Sequence, residues 1–402
     1  MSAEIPVRQG RRAVLEVLWV ALRLGLTSFG GPVAHLGYFR AEYVVRRRWL
    51  PEEQYADLVA LCQFLPGPAS SQVGIAVGIT RAGLAGGVAA WVGFTLPSAV
   101  ALTIFAMLAR QGRVLDAGWL HGLQVVAVAV VAQAVWGMAR TLTPDWPRAL
   151  LAIGAASVAL AWATPATQVA LIAAGALVGW LFLEAPAPVA ASPTIQYVSR
   201  RLAIVALAVF VGLLVGLPLL RRLVPGHALA VADGFYRGGA LVFGGGHVIL
   251  PLLQGVTVGP GWVSTAQFTA GYGAAQAVPG PLFTFAAYLG AVEGPAPNGP
   301  LGATLALGAV FLPGFLLVVG TLPFWAALRK QVGVRAALRG ANATVVGLLL
   351  AALYTPVWTG AVRRPTDAAL ALAAFGLLVV GKAPPWMVVL AAMAGGALLA
   401  VL

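Results

Sequence analysis

The sequence predicts an all-α polytopic membrane protein made of two inverted-topology repeats with broken or re-entrant helices, roughly 10 to 13 membrane segments in all. Three observations carry this. Of 402 residues, 60% are hydrophobic and only 9% charged, whereas a soluble domain carries about 25% charged residues; mean hydropathy is +0.91. Several apolar runs of about 20 residues are each long enough to cross ~30 Å of hydrocarbon as a helix. Finally, one glycine-proline signature is written twice, in the same order.

The first copy of that signature runs Arg23, Phe29-Gly30-Gly31-Pro32, Trp49, then Gln63-Phe64-Leu65-Pro66-Gly67-Pro68. The second runs Arg237, Phe243-Gly244-Gly245-Gly246, Trp262, then Gln276-Ala277-Val278-Pro279-Gly280-Pro281. The offset is 214 residues at the Arg and Phe-Gly-Gly elements and 213 at the Trp and Pro-Gly-Pro elements. Residues 1–183 are read as the N-terminal repeat, 184–230 as a linker plus an extra transmembrane helix, and 231–402 as the C-terminal repeat.

Taken in order, residues 1–12 form a basic tail that is read as retained, because the apolar run behind it breaks without a small-x-small cleavage site. Val14–Ser28 reads as a helix, broken at Gly30-Gly31-Pro32, with a second piece from Val33 to about Arg48. Pro51-Glu52-Glu53 starts the next helix, with proline in the first turn and acids at the positive dipole end. It breaks at Pro66-Gly67-Pro68 and restarts as Ala69–Thr80. Spans follow at about 83–109, 120–141, 148–163 and 166–183. The Pro/Ala-rich stretch from Glu184 to Ser199 is the linker, and Ala203–Leu220 is a span with no counterpart in the first half. The second copy repeats both breaks, then continues with spans at about 301–325, 336–354, 367–381 and 385–402. Pro313 in Phe311-Leu312-Pro313 echoes Pro97 in Thr95-Leu96-Pro97.

Charge sets the orientation. The net charge of +13 sits at the ends of apolar runs, with no basic face interleaved with aromatics, so nucleic acid is not an expected partner. Between the breaks the first copy carries Arg40, Arg46, Arg47 and Arg48, whereas Gln254–Gln267 carries no charge. After the proline-bearing span the bias reverses, with Arg329, Lys330, Arg335 and Arg339 against Arg110 and Arg113. Basic loops stay cytoplasmic, so the copies are expected to lie in opposite orientations, the plan of secondary transporters that rock around a central site.

The breaks point to chemistry. In lipid an unpaired backbone group costs several kcal/mol, so irregular backbone survives only buried in protein or lining a wet cavity. Helices restarting after a break aim N–H groups and a positive dipole end inward, which suits a small anion; the plainer alternative is kinked packing. Arg23 and Arg237 each precede their Phe-Gly-Gly element by six residues within an apolar run. An Arg there costs about 2.5–3.5 kcal/mol on insertion scales and is a site candidate, suited to a tetrahedral oxyanion. Snorkelling, or pairing with Glu16 or Asp233, is the alternative. Gln63 and Gln276, matched across the copies, are candidates to orient the anion. Ser70, Ser71 and Thr284 could donate to it or cap the restarting helices. His35 and His247 titrate near neutrality when unperturbed, and helix packing is the plainer role for both. Asp57, one to two turns before Gln63, is the candidate for a coupling ion, with a salt bridge to a nearby Arg as the alternative. Whether each Pro-Gly-Pro belongs to a re-entrant hairpin or a broken spanning helix is open at this stage.

Enzyme motifs are missing from the sequence. There is no Walker A, no H-E-x-x-H and no metal-spaced Cys/His cluster, and Cys62 is the single cysteine, so no catalytic residue, metal or cofactor is expected.

Leu24-Gly25-Leu26-Thr27-Ser28-Phe29-Gly30-Gly31-Pro32, Gln63-Phe64-Leu65-Pro66-Gly67-Pro68 and Phe243-Gly244-Gly245-Gly246-His247-Val248-Ile249-Leu250-Pro251-Leu252-Leu253 closely resemble the chromate ion transporter family in its long two-domain form. Val278-Pro279-Gly280-Pro281-Leu282-Phe283-Thr284 fits as well. The resemblance covers nearly the whole chain. It implies a multi-pass protein of the inner (cytoplasmic) membrane that exports chromate, lowers its cytoplasmic level and confers resistance, driven by an ion gradient or by exchange against an anion such as sulfate. It also implies an odd helix count of about 13, which the extra span at 203–220 fits. The residues themselves reach only a small oxyanion, so a sulfate transporter and a passive anion channel stand as alternatives. The expected partners are a chromate- or sulfate-like oxyanion and the lipid bilayer, with homodimerisation left open. The substrate-binding set is Arg23, Phe29, Gly30, Gly31, Pro32, Gln63, Pro66, Gly67, Pro68, Ser70, Arg237, Gly244, Gly245, Gly246, His247, Gln276, Pro279, Gly280 and Pro281, with Asp57 for coupling.

Overall fold

A computed structural model describes residues 10–29, 31–110, 118–162, 164–184, 198–243, 246–328 and 330–400, and among them it contains helices and no strand. The first copy opens with α1 (Arg11–Thr27), α2 (Gly31–Phe39, continued as a π-helix over Arg40–Arg46), α3 (Glu52–Phe64) and α4 (Ala69–Arg110). α3 starts after Pro51 with Glu52 and Glu53 in its first turn, where acids meet the positive end of the helix dipole. α4 is really two arms. Ala82 and Gly83 leave helical geometry, Gly83 at φ 65°, a conformation open to glycine. The arms 69–81 and 84–110 fold back so tightly that a Cβ on Gly78 would collide with the Gly86 carbonyl.

The ends of these elements show how they lie. Glu16 on α1 receives Arg47 Nη1 at 3.1 Å and Arg81 Nη2 at 3.0 Å, and both guanidinium groups stand over the Trp49 ring, 5.5 and 5.2 Å from its centre. Residues 16, 47, 49 and 81 therefore share one end, and the breaks at 28–31 and 66–68 are the tips of two helical hairpins. The arms are short. A 13-residue arm such as α3 rises roughly 20 Å, less than the ~30 Å of a bilayer core. The Pro-Gly-Pro elements thus sit at the tips of helical hairpins with arms shorter than a bilayer core, the form a re-entrant hairpin takes.

Helices α5 (Gly118–Leu142), α6 (Trp146–Ala161), α7 (Pro165–Phe182) and α8 (Arg200–Leu223) follow. The second copy then repeats the hairpins in α9 (His227–Ala240), α10 (Ile249–Thr257, entered through a 3-10 turn at Gly246–Val248), α11 (Thr265–Ala277) and α12 (Phe285–Val292), before α13 (Gly299–Thr321). The chain closes with α14 (Trp325–Leu328), α15 (Val332–Ala352), α16 (Thr359–Ala361), α17 (Pro365–Val379) and α18 (Pro385–Leu399). Five helical stretches are long and apolar enough to cross a membrane, among the described residues. With the shorter apolar helices, this is a multi-pass membrane protein. The outward residues are apolar, as a lipid solvent requires: α8 exposes Ile204, Val205, Val211 and Val215.

Two long helices join the hairpin sets. The second arm of α4 leaves the Arg81 end and finishes at Arg110, whose Nη1 donates to the Ala291 carbonyl at 3.2 Å, at the open end of the second copy's hairpins. α13 runs back the other way, and beyond it Trp325 donates its Nε1–H to Asp57 Oδ1 on α3 at 2.9 Å. The hairpins of the two copies accordingly open toward opposite ends of the molecule.

The copies also interlock. α5 packs against α17 and α18, and α15 against α6 and α7. Both crossings use small residues, as close helix packing in lipid demands. A Cβ on Gly122 would strike the Ala392 carbonyl, and one on Gly340 would strike that of Gly175. Gly122→Leu is therefore expected to lower the melting temperature in detergent, through an overpacking cost of about 1–3 kcal/mol; an unchanged melt would contradict this packing.

Candidate functional site where the four breaks meet

The hairpin tips of the two copies cross at the centre and hold each other by reciprocal backbone bonds. Gly67 N–H, in the first Pro-Gly-Pro, donates to the Val242 carbonyl at 2.7 Å, and Gly280 N–H, in the second, donates to the Ser28 carbonyl at 3.0 Å. Ser28 and Val242 are themselves repeat-equivalent, each directly preceding its Phe-Gly-Gly element. Gly67 sits at φ 124° and Gly280 at φ 99°, in the region that only glycine enters without strain. A side chain would not fit either: a Cβ on Gly280 would lie 2.9 Å from Ser98 Oγ, and one on Gly67 2.9 Å from Gln72 Nε2. Gln72 Nε2 in turn donates to the Pro66 carbonyl at 2.9 Å, and the Thr284 hydroxyl donates to the Pro281 carbonyl at 2.7 Å. Backbone groups freed by the breaks are thus largely satisfied by protein, as burial requires.

Beside this crossing lies a cavity of about 310 Å3 lined by Gly31, Val130, Gln133, His247, Gln276, Leu378, Lys382, Ala383 and Pro385. α2 begins at Gly31, so its N-terminal end faces the cavity wall. Gln276 Nε2 is buried and has no partner among the described residues. His247 Nδ1 shares a 2.7 Å hydrogen bond with the Tyr272 hydroxyl, which fixes the ring. Lys382 comes from the turn between α17 and α18, held at φ 49°, a backbone state that L residues seldom adopt. Two amides, an imidazole and an ammonium line the cavity, with no carboxylate among the described residues. Such a wall suits an anion.

Of the residues expected from sequence, Gly31, His247 and Gln276 reach this cavity. Pro32 and Gly246 border it, a Cβ on Gly246 falling 3.6 Å from Pro32 Cγ, and the Phe29 ring lies 6.1 Å from that of Trp386, next to Pro385. Gly30, Gly244 and Gly245 lie outside the described residues. Arg23 and Gln63 are exposed and do not line the cavity. Ser70 is buried against His35, Oγ to Nδ1 at 3.3 Å. Asp57 accepts the indole N–H of Trp325 at 2.9 Å and does not line the cavity. Arg237 donates to Asp233 at 2.6 Å, the pairing that the sequence offered as its alternative role. Lys382 and Gln133 were missed. Gln133 stood out as one amide within the apolar stretch 125–136, and Lys382 as one of two lysines in the chain.

Arg237 lines a second cavity of about 570 Å3, together with Arg221, Gln168, Gln254, Leu241, Leu348, Ala351, Leu160 and Thr164. The two cavities share one repeat-related wall, while the hairpin residues that complete each are not equivalent. Val130, Gln133, Leu378 and Lys382 of the first correspond to Leu348, Ala351, Leu160 and Thr164 of the second, each offset by 218 residues. Each cavity is bounded by the turn of a helix pair, α17–α18 or α6–α7, with the crossed breaks between them.

The sequence profile of the chromate transporter family matches residues 15–180 and 229–397, both halves of the chain. A chromate transport protein of Pseudomonas aeruginosa is 31% identical over 361 residues, 86% of this chain and 81% of that protein. One of Cupriavidus metallidurans is 27% identical over 383 residues, covering 93% of this chain and 90% of its own. A transporter of Methanocaldococcus jannaschii with no described cargo is 23% identical over 354 residues, 86% of this chain and 84% of its own. No solved structure matches the chain.

Proposed function

The chain belongs to the chromate transporter family, and we propose that it is a secondary active transporter that exports chromate across the cytoplasmic membrane. The observation that carries this reading is the cavity beside the crossed breaks. Its donors, Gln133, Gln276, His247 and Lys382, come from both copies, and no carboxylate stands among its described residues to repel a dianion. The cavity with Arg221 and Arg237 gives the anion a second basic vestibule, one wall of which is related to the first by the repeat. Two such vestibules flanking one crossing suit an exchange of access, in which each copy in turn closes one and opens the other. In this reading Lys382 attracts the anion, Gln276 and Gln133 orient it, and the α2 N-terminus adds its dipole.

Proteoliposomes with radiolabelled chromate test the proposal. Saturable flux that needs a proton gradient or trans-sulfate is the expected result. Gradient-independent, non-saturating flux would make the protein a channel, and equal competition by sulfate would broaden the cargo to tetrahedral dianions. No flux under any gradient would overturn the reading.

A further inference from the structure

The open ends of the hairpins are fastened differently on the two faces. In the first copy Glu16 is clamped by Arg47 and Arg81 over Trp49. In the second copy the equivalent place holds His227, Trp262 and Glu293. Trp262 corresponds to Trp49 at an offset of 213 residues, and Glu293 to Arg81 at 212, the offset that also relates Gly290 to Gly78. His227 Nε2 lies 3.1 Å from Glu293 Oε2, and its ring meets Trp262 edge to face at 4.5 Å between centres. The Glu293 side chain is fully buried, and neither of its oxygens, nor His227 Nε2 beside them, completes a hydrogen bond among the described residues.

This cluster joins three segments. His227 begins α9, Trp262 sits in the turn between α10 and α11, and Glu293 in the turn between α12 and α13, where Gly294 N–H also donates to the Trp262 carbonyl at 3.0 Å. The charged groups facing it are few. Arg221 at the end of α8 approaches Asp233 at 3.4 Å, Asp233 on α9 is held mainly by Arg237, and Arg110 from α4 is engaged with the Ala291 carbonyl. Neither the α10–α11 turn nor the start of α13 adds a charge. A fixed guanidinium would keep a buried carboxylate ionised at any accessible pH; an imidazole does so only while it holds the proton.

We propose that His227 and Glu293 form a proton-binding site that latches the open end of the second copy's hairpins, closed when Glu293 is protonated and released when it is not. Glu293 lies in a turn outside the spanning helices, and burial pushes its carboxyl up to about 8, against about 4.3 for an exposed glutamate. The sign follows. A group whose closed-state value is raised favours closure fully below its exposed value, and this preference is lost as pH rises toward the closed-state value. Alkaline solution therefore opens this face.

The test is a distance, which does not depend on the cargo. Spin labels at Ala228→Cys and Pro295→Cys, both exposed positions, with Cys62→Ala, report the gap between α9 and the α12–α13 turn in the full-length protein. Between about pH 5 and about pH 9, spanning the interval between exposed and buried carboxyl values, the distribution is expected to move to longer distances. Glu293→Gln should hold the short distance throughout. His227→Arg, which supplies a permanent cation, should do the same by a different route and covers the case in which Glu293→Gln does not fold. A gap insensitive to pH in the parent protein, or the same pH response in either variant, would overturn the proposal.

Discussion

Lys382→Gln is expected to weaken chromate binding about tenfold, measured by binding of radiolabelled chromate to the purified protein. A charge-assisted hydrogen bond contributes about 1.5–3 kcal/mol, and Lys382 is exposed at the mouth of its turn, so the lower end applies; about 1.4 kcal/mol is one factor of ten. Lys382→Arg should keep most of the affinity, because it keeps the cation. Gln276→Ala, which removes an unpartnered buried amide from the cavity wall, should cost less, on the order of fivefold, for a neutral bond of about 1 kcal/mol. The Lys382 effect should shrink as salt rises, since an exposed charge is screened. Arg23→Gln supplies the contrast. Arg23 stands on the exposed face of α1, and its loss should leave affinity unchanged. If Arg23→Gln reduces binding and Lys382→Gln does not, the cavity is the wrong site.

Gly280→Ala is expected to abolish or severely reduce folded protein. The substitution forces an L residue into φ 99°, a strain of roughly 1–3 kcal/mol. It also drives a Cβ to 2.9 Å from Ser98 Oγ and 3.2 Å from the Phe94 carbonyl, an overpacking cost of about 1–3 kcal/mol. Their sum is a large part of the 5–15 kcal/mol that holds a typical fold together. Gly212→Ala makes the opposite case. A Cβ there meets nothing within 4 Å in the middle of α8, and alanine is favoured over glycine inside a helix by roughly 0.5–1 kcal/mol. Monodisperse yield and melting temperature in detergent should therefore fall for one glycine and hold or rise for the other. Similar melts for both would show that the Gly280 tip is not tightly held.

Much of the architecture was legible in the sequence because lipid leaves the chain few options. Apolar runs of spanning length must be helices, and α1 was placed within three residues at its start and one at its end. The doubled signature and the charge bias together foresaw that the copies face opposite ways. The site was legible only in part. Gln63 and Gln276 occupy matched positions, yet one is exposed and the other lines the cavity, since the rotation of a hairpin arm is set by what it packs against. Arg23 was read from its depth along a helix, which does not say which face it takes. Lys382 escaped notice because it comes from the far end of the chain, brought to the first break only by the packing of α17 and α18 on α5. Asp57 was read against nearby arginines, and nothing in the sequence signalled the indole that reaches it from residue 325.

The crossing of α5 onto α17 and α18, matched by that of α15 onto α6 and α7, bears on how such a protein came to be. Each copy packs its own hairpins, α1 against α4 and α12 against α13, but α5 and α15 find their partners in the other copy. A lone copy would present bare glycine-rich faces to lipid, and its hairpin tip would lack the carbonyl that receives Gly67 or Gly280. It could close only by meeting a second copy inserted the other way up. Carrying both in one chain fixes the partner and the one-to-one stoichiometry at translation rather than leaving them to chance encounter in the bilayer.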